Sequence, residues 1–407
     1  MQTALTEKLR ATKAGQEAEA ILRSCVHCGF CTATCPTYLV LGDELDGPRG
    51  RIYLMKRVLE GVAPAAATQA HLDRCLTCRA CETACPSGVR YGELLVTGRE
   101  LVDAAVRRPL RVRASRAFLR AFLTGPWFAP LYRLGQWCRA ALPSSLRGRL
   151  LVPRRRLPWP TQARARRLVL PRGCVQPAMA PQIDAAAARV LDRLGIAVVR
   201  PAAAARCCGA IRHHLGDSAG ARDEARRNIE AWWPALEAGA EAIVSTASGC
   251  GLMIKEYGAL LRDDAEFADR AARVSALTRD LSEVVDAAGG TLAKLMTSRS
   301  GERVAVQAPC TLQHGQRLPG ILERLLGLAG ATLTAVGDRH LCCGSAGTYS
   351  VLEPKLAAEL RARKLARLEA DRPDVILSAN IGCIAHLSAG TATRVQHWIE
   401  WLDERLH

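Results

Sequence analysis

The N-terminal quarter of the chain contains eight cysteines that form two copies of one pattern. Each copy reads C-x2-C-x2-C-x3-C followed by proline, and the second copy begins fifty residues after the first. The cysteines are Cys25, Cys28, Cys31 and Cys35 in the first copy, and Cys75, Cys78, Cys81 and Cys85 in the second. Three thiolates on one tight loop can bind three irons of a single cubane, whereas a turn of helix and a proline hold the fourth thiolate apart. The spacing therefore predicts iron–sulfur chemistry and indicates electron transfer.

This is the cysteine pattern of bacterial two-cluster ferredoxins, in which the fourth cysteine of each run binds the other cluster. It predicts two [4Fe–4S] clusters with crossed ligands: Cys25, Cys28, Cys31 and Cys85 for the first cluster, and Cys75, Cys78, Cys81 and Cys35 for the second. Zinc is the alternative metal. Structural zinc sites, however, usually pair two C-x2-C units and need neither a third cysteine nor a following proline.

Eight further cysteines belong to a second, longer repeat. They are Cys174, Cys207, Cys208 and Cys250 in its first copy, and Cys310, Cys342, Cys343 and Cys383 in its second. The offsets between matched cysteines lie between 133 and 136 residues, which indicates an internal duplication. Each adjacent cysteine pair is followed by a glycine, Gly209 or Gly344, which permits the tight turn that lets neighbouring thiols face one site.

Each copy resembles the cysteine-rich CCG domain of heterodisulfide reductases and their relatives, in which the repeat ends in C-x2-C and can bind a non-cubane [4Fe–4S] cluster. Here the last position is Met253 in the first copy and His386 in the second. Imidazole is a credible iron ligand, whereas a thioether is a poorer donor. If a third centre, iron–sulfur or zinc, is present, we therefore expect it in the second copy, through Cys310, Cys342, Cys343, Cys383 and His386. The weaker candidate is the first copy, through Cys174, Cys207, Cys208 and Cys250. The alternative is that the cysteines remain for structure after metal has been lost.

The elements that position these cysteines differ along the chain. Short β-branched runs alternate with amphipathic helical stretches in the C-terminal part, which predicts parallel strands with crossover helices; the strands are Ile196–Val199, Ala242–Ser245, Val304–Gln307 and Val375–Leu377, and the helices are 183–194 and 352–368. The cysteines follow strand ends, where open α/β sheets place their ligands. We expect an α+β multidomain protein in four parts: an α-helical ferredoxin domain (1–104), a basic aromatic connector (105–165) and two α/β CCG repeats (166–295 and 300–407).

Composition limits the class of protein. Among 407 residues, 49% are apolar, yet no apolar run approaches twenty residues, so we expect no membrane-spanning helix. The charged N-terminus lacks the apolar core of a secretory signal. Sixteen of the 17 cysteines lie in metal-type motifs, which fits a reducing cytosol. The remaining one, Cys138, is interpreted as an inert buried thiol.

Positive charge is concentrated in the connector. Residues 104–183 contain seventeen arginines and no lysine, aspartate or glutamate, which equals the net charge of +17 for the whole chain. Such a one-sided segment predicts an anionic partner. Arg113, Arg116 and Arg120 alternate with apolar residues at helical spacing up to Gly125 and Pro126, and the aromatic residues Trp127, Phe128 and Trp137 follow.

This pattern predicts contact with a membrane surface. The alternative is that the aromatic residues pack against partner subunits or against the chain's own domains. Stacking on nucleic acid is disfavoured, because no recognised nucleic-acid module accompanies the arginines. The chain also lacks a G-x-G-x-x-G fingerprint and a P-loop, so we expect FAD or another organic cofactor only in partner subunits.

Over essentially its whole length the chain resembles the iron–sulfur subunits of bacterial glycolate oxidases, through stretches such as CVHCGFCTATCPTYLVLGDELDGPRGRIYLMKRVLEG, LDRCLTCRACETACP and SANIGCIAHL. The resemblance implies a complex with two FAD-binding subunits that oxidise glycolate to glyoxylate, no independent active site in this chain, and electrons passing from FAD through the clusters to the membrane quinone pool. It also implies a cytoplasmic location, peripheral on the cytoplasmic membrane face.

Three alternatives remain open. The iron–sulfur subunits of anaerobic glycerol-3-phosphate dehydrogenase and of lactate-utilisation enzymes share this order of parts but look less similar in the linker after the first motif. In the third alternative, a heterodisulfide-reductase-like catalytic subunit, the CCG clusters would perform chemistry; Met253 and His386, in place of the fifth cysteines, count against it.

Overall fold

The computed structural model describes residues 1–143, 147–148, 150–154, 157–201, 207–296 and 301–406. These residues form two compact units: Met1–Ala117 with His340–Lys364, and Phe118–Arg339 with Leu365–His407. The expected limits at residues 300 and 407, and part of the 105–165 connector, lie outside the described residues.

The N-terminal part of the first unit is helical. Its helices are α1 (Glu7–Arg10), α2 (Lys13–Ser24), α3 (Pro36–Leu41), α4 (Pro48–Leu59), α5 (Ala66–Asp73), α6 (Ala80–Thr83) and α7 (Tyr91–Ala105), with a 3-10 turn at Glu44–Asp46. Proline at the first position of α4 suits a helix start, because its missing N–H would have no partner there. The two cysteine runs lie between α2 and α3 and between α5 and α7, so each thiol loop is held between packed helices.

Close packing of α4 against α7 forms the core of this helical part. Ile52, Met55 and Leu59 share one face of α4 and are buried. A methyl group at Gly98 on α7 would lie 2.5 Å from Sδ of Met55, so any larger residue there would require the Met55 side chain to shift. The remainder of the first unit, residues 340–364, contains α20 (Tyr349–Leu352) and the first part of α21 (Pro354–Leu368), and Arg363 donates a 3.0 Å hydrogen bond to the Leu39 carbonyl. In sequence this segment lies in the predicted second CCG repeat, and its contacts in the folded chain group it with the helical part of the first unit.

The second unit contains two four-stranded parallel sheets. The strands are β1 (Arg166–Val169), β2 (Ile196–Val199), β3 (Ala242–Ser245), β4 (Thr278–Asp280), β5 (Arg303–Gln307), β6 (Thr332–Leu333), β7 (Val375–Ser378) and β8 (Arg394–His397). Their orders are β2-β1-β3-β4 and β6-β5-β7-β8, so the topology of the second sheet repeats that of the first. The predicted α+β fold with a duplicated α/β domain is confirmed.

In the second unit, two helices precede the first sheet in the chain, and the other helices alternate with the strands of the two sheets. α8 (Leu110–Thr124) continues from the first unit, and a 3-10 turn at Arg139–Ala141 follows α9. The others are α9 (Phe128–Trp137), α10 (Gln176–Met179), α11 (Gln182–Arg193), α12 (Ala210–His214), α13 (Ser218–Glu237), α14 (Ser248–Lys255), α15 (Tyr257–Leu260), α16 (Ala268–Leu277), α17 (Leu281–Ala287), α18 (Gly289–Leu295), α19 (Ile321–Leu328), α22 (Ile381–Ser388) and α23 (Trp398–Asp403), with a π-helical turn at Thr311–Gly315. Among the described residues, no helix combines the length and the apolar character needed to cross a membrane.

The two sheets of the second unit are joined by direct hydrogen bonds. The Ser248 amide donates to the Ala379 carbonyl at 3.0 Å, and the Ser248 and Thr311 hydroxyls lie 2.7 Å apart. Arg189 on α11 forms an ion pair with Asp403 on α23. The two contacts of Ser248 connect the first turn of α14, which carries Cys250, to the second repeat.

Candidate metal centres

The two cysteine loops of the first unit share an unusual backbone conformation. His27 and Thr77, the residues before the second cysteine of each run, have φ of 61° and 51°. Gly29 and Arg79, the residues after it, have φ of 87° and 59°. Left-handed conformations are costly for residues other than glycine, so their repetition at matched positions indicates that a tight inward turn of the thiols is imposed by the surrounding structure.

A cavity of about 440 Å³ collects the first predicted ligand set. Cys25, Cys28, Cys31 and Cys85 all line it. Cys85 comes from the second run, so the loop after α6 delivers its thiol to the site of the first run. Cys81 also borders this cavity.

A second cavity, of about 310 Å³, collects the other four cysteines. Cys35, Cys75, Cys78 and Cys81 line it together with Arg51 and Tyr91. Around it, the Tyr91 hydroxyl donates to Sγ of Cys75 at 3.6 Å, and Arg99 donates to the Cys75 carbonyl at 2.9 Å. Both contacts fix the position of Cys75. The sequence analysis did not identify Tyr91 or Arg99, because both lie on α7, outside the cysteine motifs.

The electrostatics of these sites favour a bound cation. Burial, and then the neighbouring cysteines, raise the pKa of Cys31 to about 11, and the pKa of Cys81 is raised for the same reasons. Four thiolates gathered in one site repel each other unless metal ions neutralise them, since metals bind the deprotonated form. The donor set and the cavity therefore fit iron bound by cysteine.

The four cysteines of the first CCG repeat also meet in the structure. The thiols of Cys174 and Cys208 donate to the Cys207 sulfur, and Cys208 is also hydrogen-bonded to Cys250. These hydrogen bonds lower the pKa of Cys207 and raise those of Cys174 and Cys208. Three of the four, Cys174, Cys208 and Cys250, line a cavity of about 520 Å³.

The turn after the adjacent pair follows the expectation from sequence. Gly209 has φ of 92°, its amide lies 3.4 Å from the Cys207 sulfur, and a Cβ there would lie 3.2 Å from the Ala221 carbonyl oxygen. Met253 is buried in the apolar cluster with Ile229 and Trp232. Its thioether therefore packs in the core, in agreement with its interpretation as a poor ligand.

The second repeat shows the same local geometry. The Gly344 amide donates to the Cys342 sulfur at 3.4 Å, as Gly209 does to Cys207, and Asn380 donates to the Cys383 sulfur at 3.6 Å. Cys342 and Cys343 belong to the first compact unit, whereas Cys310 and Cys383 belong to the second. His386 is half-buried on α22. Ligation by this set stays a prediction from sequence.

The structure corrects the predicted role of two connector arginines. Arg116 has a side chain that is only 12% exposed and forms an ion pair with Asp73, and Arg120 lies 3.9 Å from Asp217. Both guanidinium groups face carboxylates of the protein and are partly covered, so only Arg113 of the three is exposed to solvent. Sequence spacing alone could not show which face of α8 is covered.

These sites define an iron–sulfur protein that combines a ferredoxin-type domain with duplicated cysteine-rich domains. Residues 21–89 match the 4Fe-4S dicluster domain family, and residues 170–255 and 304–388 match the Cysteine-rich domain family. The chain is 52% identical to the glycolate oxidase iron-sulfur subunit of Escherichia coli (strain K12), over all of this chain and 99% of that protein. It is 31% identical to the probable glycolate oxidase iron-sulfur subunit of Bacillus subtilis (strain 168), over 91% of this chain and 89% of that protein.

A more distant relative is lactate utilization protein A of Bacillus velezensis, which is 28% identical and aligns with 57% of this chain. The chain belongs to the family of glycolate oxidase iron–sulfur subunits. The resemblance inferred from the motifs is thereby confirmed, and with it the assignment to iron–sulfur oxidoreductases.

Proposed function

We propose that this chain is the electron-transfer subunit of a glycolate, or 2-hydroxy-acid, dehydrogenase complex. It receives electrons from FAD in two partner subunits, which convert glycolate to glyoxylate, and passes them toward a membrane quinone. The observation that carries the proposal is the pair of cysteine-lined cavities, each containing one predicted ligand set, in a chain that is similar over its whole length to a glycolate oxidase subunit. The lactate-utilisation relative aligns with little more than half of the chain, which favours glycolate over lactate.

The cysteines that we propose as ligands are those that share each cavity. Cys25, Cys28, Cys31 and Cys85 would hold one [4Fe–4S] cluster, and Cys35, Cys75, Cys78 and Cys81 the other. A bound cubane accepts one electron at a time, which divides the two-electron oxidation of a hydroxy acid into single steps. The chain's own contribution is to hold the thiols in place: α7 fixes Cys75 through Tyr91 and Arg99, and the left-handed loop residues turn the other thiols inward.

The four-part organisation expected from sequence is part of this proposal. The helical part of residues 1–104 binds the two clusters, and the repeats at 166–295 and 300–407 carry the CCG cysteines. A third centre is proposed in the second repeat, through Cys310, Cys342, Cys343, Cys383 and His386, because imidazole is a better donor for iron than the buried thioether of Met253.

An exposed apolar face within the connector supports peripheral contact with the cytoplasmic face of an anionic membrane. Trp127, Leu131, Leu134 and Trp137 follow each other at intervals of four, three and three residues, so they share one face at α9. They are 70%, 49%, 54% and 85% exposed. Exposed tryptophans beside leucines suit the headgroup region of a bilayer, and the arginine-rich, acid-free segment around them favours anionic lipid.

The complex with its flavin partners provides the direct test. Glycolate added without oxygen should produce the EPR signals of reduced clusters, followed by reduction of an added quinone. The isolated chain should bind no FAD and should show no response to glycolate. A Cys28→Ser complex should lose quinone reduction, whereas Cys138→Ser, outside the motifs, should retain it. Stoichiometric FAD in the isolated chain, or quinone reduction by Cys28→Ser at the unsubstituted rate, would refute the proposal.

A further inference from the structure

Arg51 is a buried cation beside the second cysteine cavity. It lies on α4, its side chain is 1% exposed, and it lines the cavity with Cys35, Cys75, Cys78 and Cys81. Its Nη1 lies 4.0 Å from the Cys35 sulfur and donates to the Thr37 hydroxyl at 3.1 Å. Its Nε donates to the His71 carbonyl at 2.7 Å. These contacts lock the guanidinium group against the ligand sulfurs.

The charge of Arg51 is only partly compensated. Its Nη2 lies 3.3 Å from Oδ1 of Asp46, and that buried carboxylate is shared with Arg74, whose Nη1 lies 2.9 Å from Oδ2. Nδ1 of His71 lies 3.1 Å from the same carboxylate and adds no negative charge. Two arginines therefore share this one buried carboxylate, and the half-buried Glu353 interacts with Arg74, so Asp46 compensates the charge of Arg51 only in part.

The first cavity has a different electrostatic environment. The arginine that lines it, Arg49, is 36% exposed and forms a 2.6 Å ion pair with Glu44. One carboxylate compensates one guanidinium group there, and water screens both. The two matched cysteine loops therefore lie in different electrostatic environments.

We propose that Arg51 raises the reduction potential of the cluster bound by Cys35, Cys75, Cys78 and Cys81. This inference rests on the cluster ligation in the proposed function. Reduction adds one electron, and thus one negative charge, to a group surrounded by four thiolates. Burial destabilises that added negative charge, whereas a fixed cation beside the sulfurs stabilises it. Arg51 thereby keeps the buried cluster reducible by the electrons that the partner flavin supplies.

The test is an anaerobic redox titration monitored by EPR, on the full chain in its complex. In Arg51→Gln the potential of one cluster should fall, with the reduction equilibrium constant lowered about tenfold or more, which is about 59 mV for a one-electron couple. Arg51→Lys should retain most of the potential, because it retains the charge. Arg49→Gln is the matched control and should leave that cluster unchanged.

Two further variants keep the test decisive if Arg51→Gln does not assemble. Asp46→Asn removes the shared negative charge and should raise the same potential, whereas Arg74→Gln, at a partly exposed position, should lower it by less than Arg51→Gln. An iron-replete Arg51→Gln protein with an unchanged potential, or shifts of equal sign in Asp46→Asn and Arg74→Gln, would overturn the inference. Clusters that remain reducible by glycolate in those proteins would leave the proposed function intact, whereas absence of clusters from the unsubstituted chain would refute the function itself.

Discussion

The His397 imidazole donates a hydrogen bond from Nε2 to the main-chain carbonyl of Thr246, at 2.8 Å. Its Nδ1 accepts from the Ile399 amide at 3.2 Å, which places the proton on Nε2 and caps α23. Thr246 directly follows β3, and His397 ends β8, so this bond joins the strand end of the first repeat to the helix start of the second. The ring is fully buried and uses both nitrogens in its neutral form.

Stability should therefore fall on acidification in a way that depends on His397. Burial lowers the pKa of His397 from 6.5 to about 4, against the opposing effect of the Thr246 carbonyl. Between these two values the unfolded chain binds more protons than the folded chain, so stability is full above pH 6.5 and declines toward pH 4. The loss at pH 5 should be about 2 kcal/mol, at about 1.4 kcal/mol per pH unit.

The measurement is the unfolding midpoint between pH 7.5 and pH 5 under anaerobic conditions, compared with His397→Asn. Asparagine can still cap α23 but does not titrate. The variant should be less stable at pH 7.5 and should lose less stability on acidification. Parallel pH profiles for the two proteins would contradict the assignment.

Crossed ligation predicts which cysteine substitutions act alike. Cys35→Ser should disturb the same cluster as Cys75→Ser, and Cys85→Ser the same cluster as Cys28→Ser, because these pairs line common cavities. EPR spectra and iron content of the four proteins check this, with Cys138→Ser as a control that retains all iron. If Cys35→Ser and Cys28→Ser removed the same signal, the four cysteines of each run would bind one cluster and the assignment would be wrong.

Iron beyond the two cubanes, if present, should depend more on Cys343 than on Cys208. The reason is the donor at the fifth position, His386 in the second repeat against the core-packed Met253 in the first. Iron and zinc counts per chain for Cys343→Ser and Cys208→Ser test the ranking. Equal losses of metal would contradict the ranking. A larger loss of metal in Cys208→Ser would indicate that the site is formed by the four hydrogen-bonded thiols of the first repeat.

Membrane contact should depend on the exposed face at α9. The protein should sediment with anionic liposomes at low salt and be released as salt rises. The double substitution Trp127→Ser and Trp137→Ser should weaken binding strongly, and Arg113→Glu should weaken it by about 1 kcal/mol or more, roughly fivefold. Tyr53→Ser removes an exposed aromatic residue from the first unit and serves as the matched control. Binding that is absent at low salt, or insensitive to both tryptophans, would identify the face as a docking surface for partner subunits.

Charge reversal at Arg116 and at Arg113 should affect the stability of the protein differently. Arg116→Glu places a carboxylate beside Asp73 in a position that is nearly covered, so the variant should lose thermal stability whether or not lipid is present. Arg113→Glu, on the exposed side of α8, should leave the unfolding midpoint within about 0.5 kcal/mol of the unsubstituted protein. Equal stability losses in the two variants would contradict the packing of α8.

Local features of the sequence determined the ligand motifs, the duplication and most element limits. The strand predicted at Ile196–Val199 is found there, and the predicted helix 183–194 is Gln182–Arg193, because periodicity and turn residues act between near neighbours. The motif spacing likewise predicted two ligand sets, and the members of each set line one cavity of the first unit, with Cys81 lining both.

Tertiary structure alone decided which distant groups surround those cysteines. Arg51 meets Cys35 across sixteen residues and His397 meets Thr246 across 151, separations over which neither propensity nor periodicity acts. The same holds for Arg116, whose spacing suggested a solvent-facing cation and whose partner, Asp73, is 43 residues away. A sequence determines where its thiols can turn inward, whereas burial and charge around them depend on which surfaces the folded chain brings into contact.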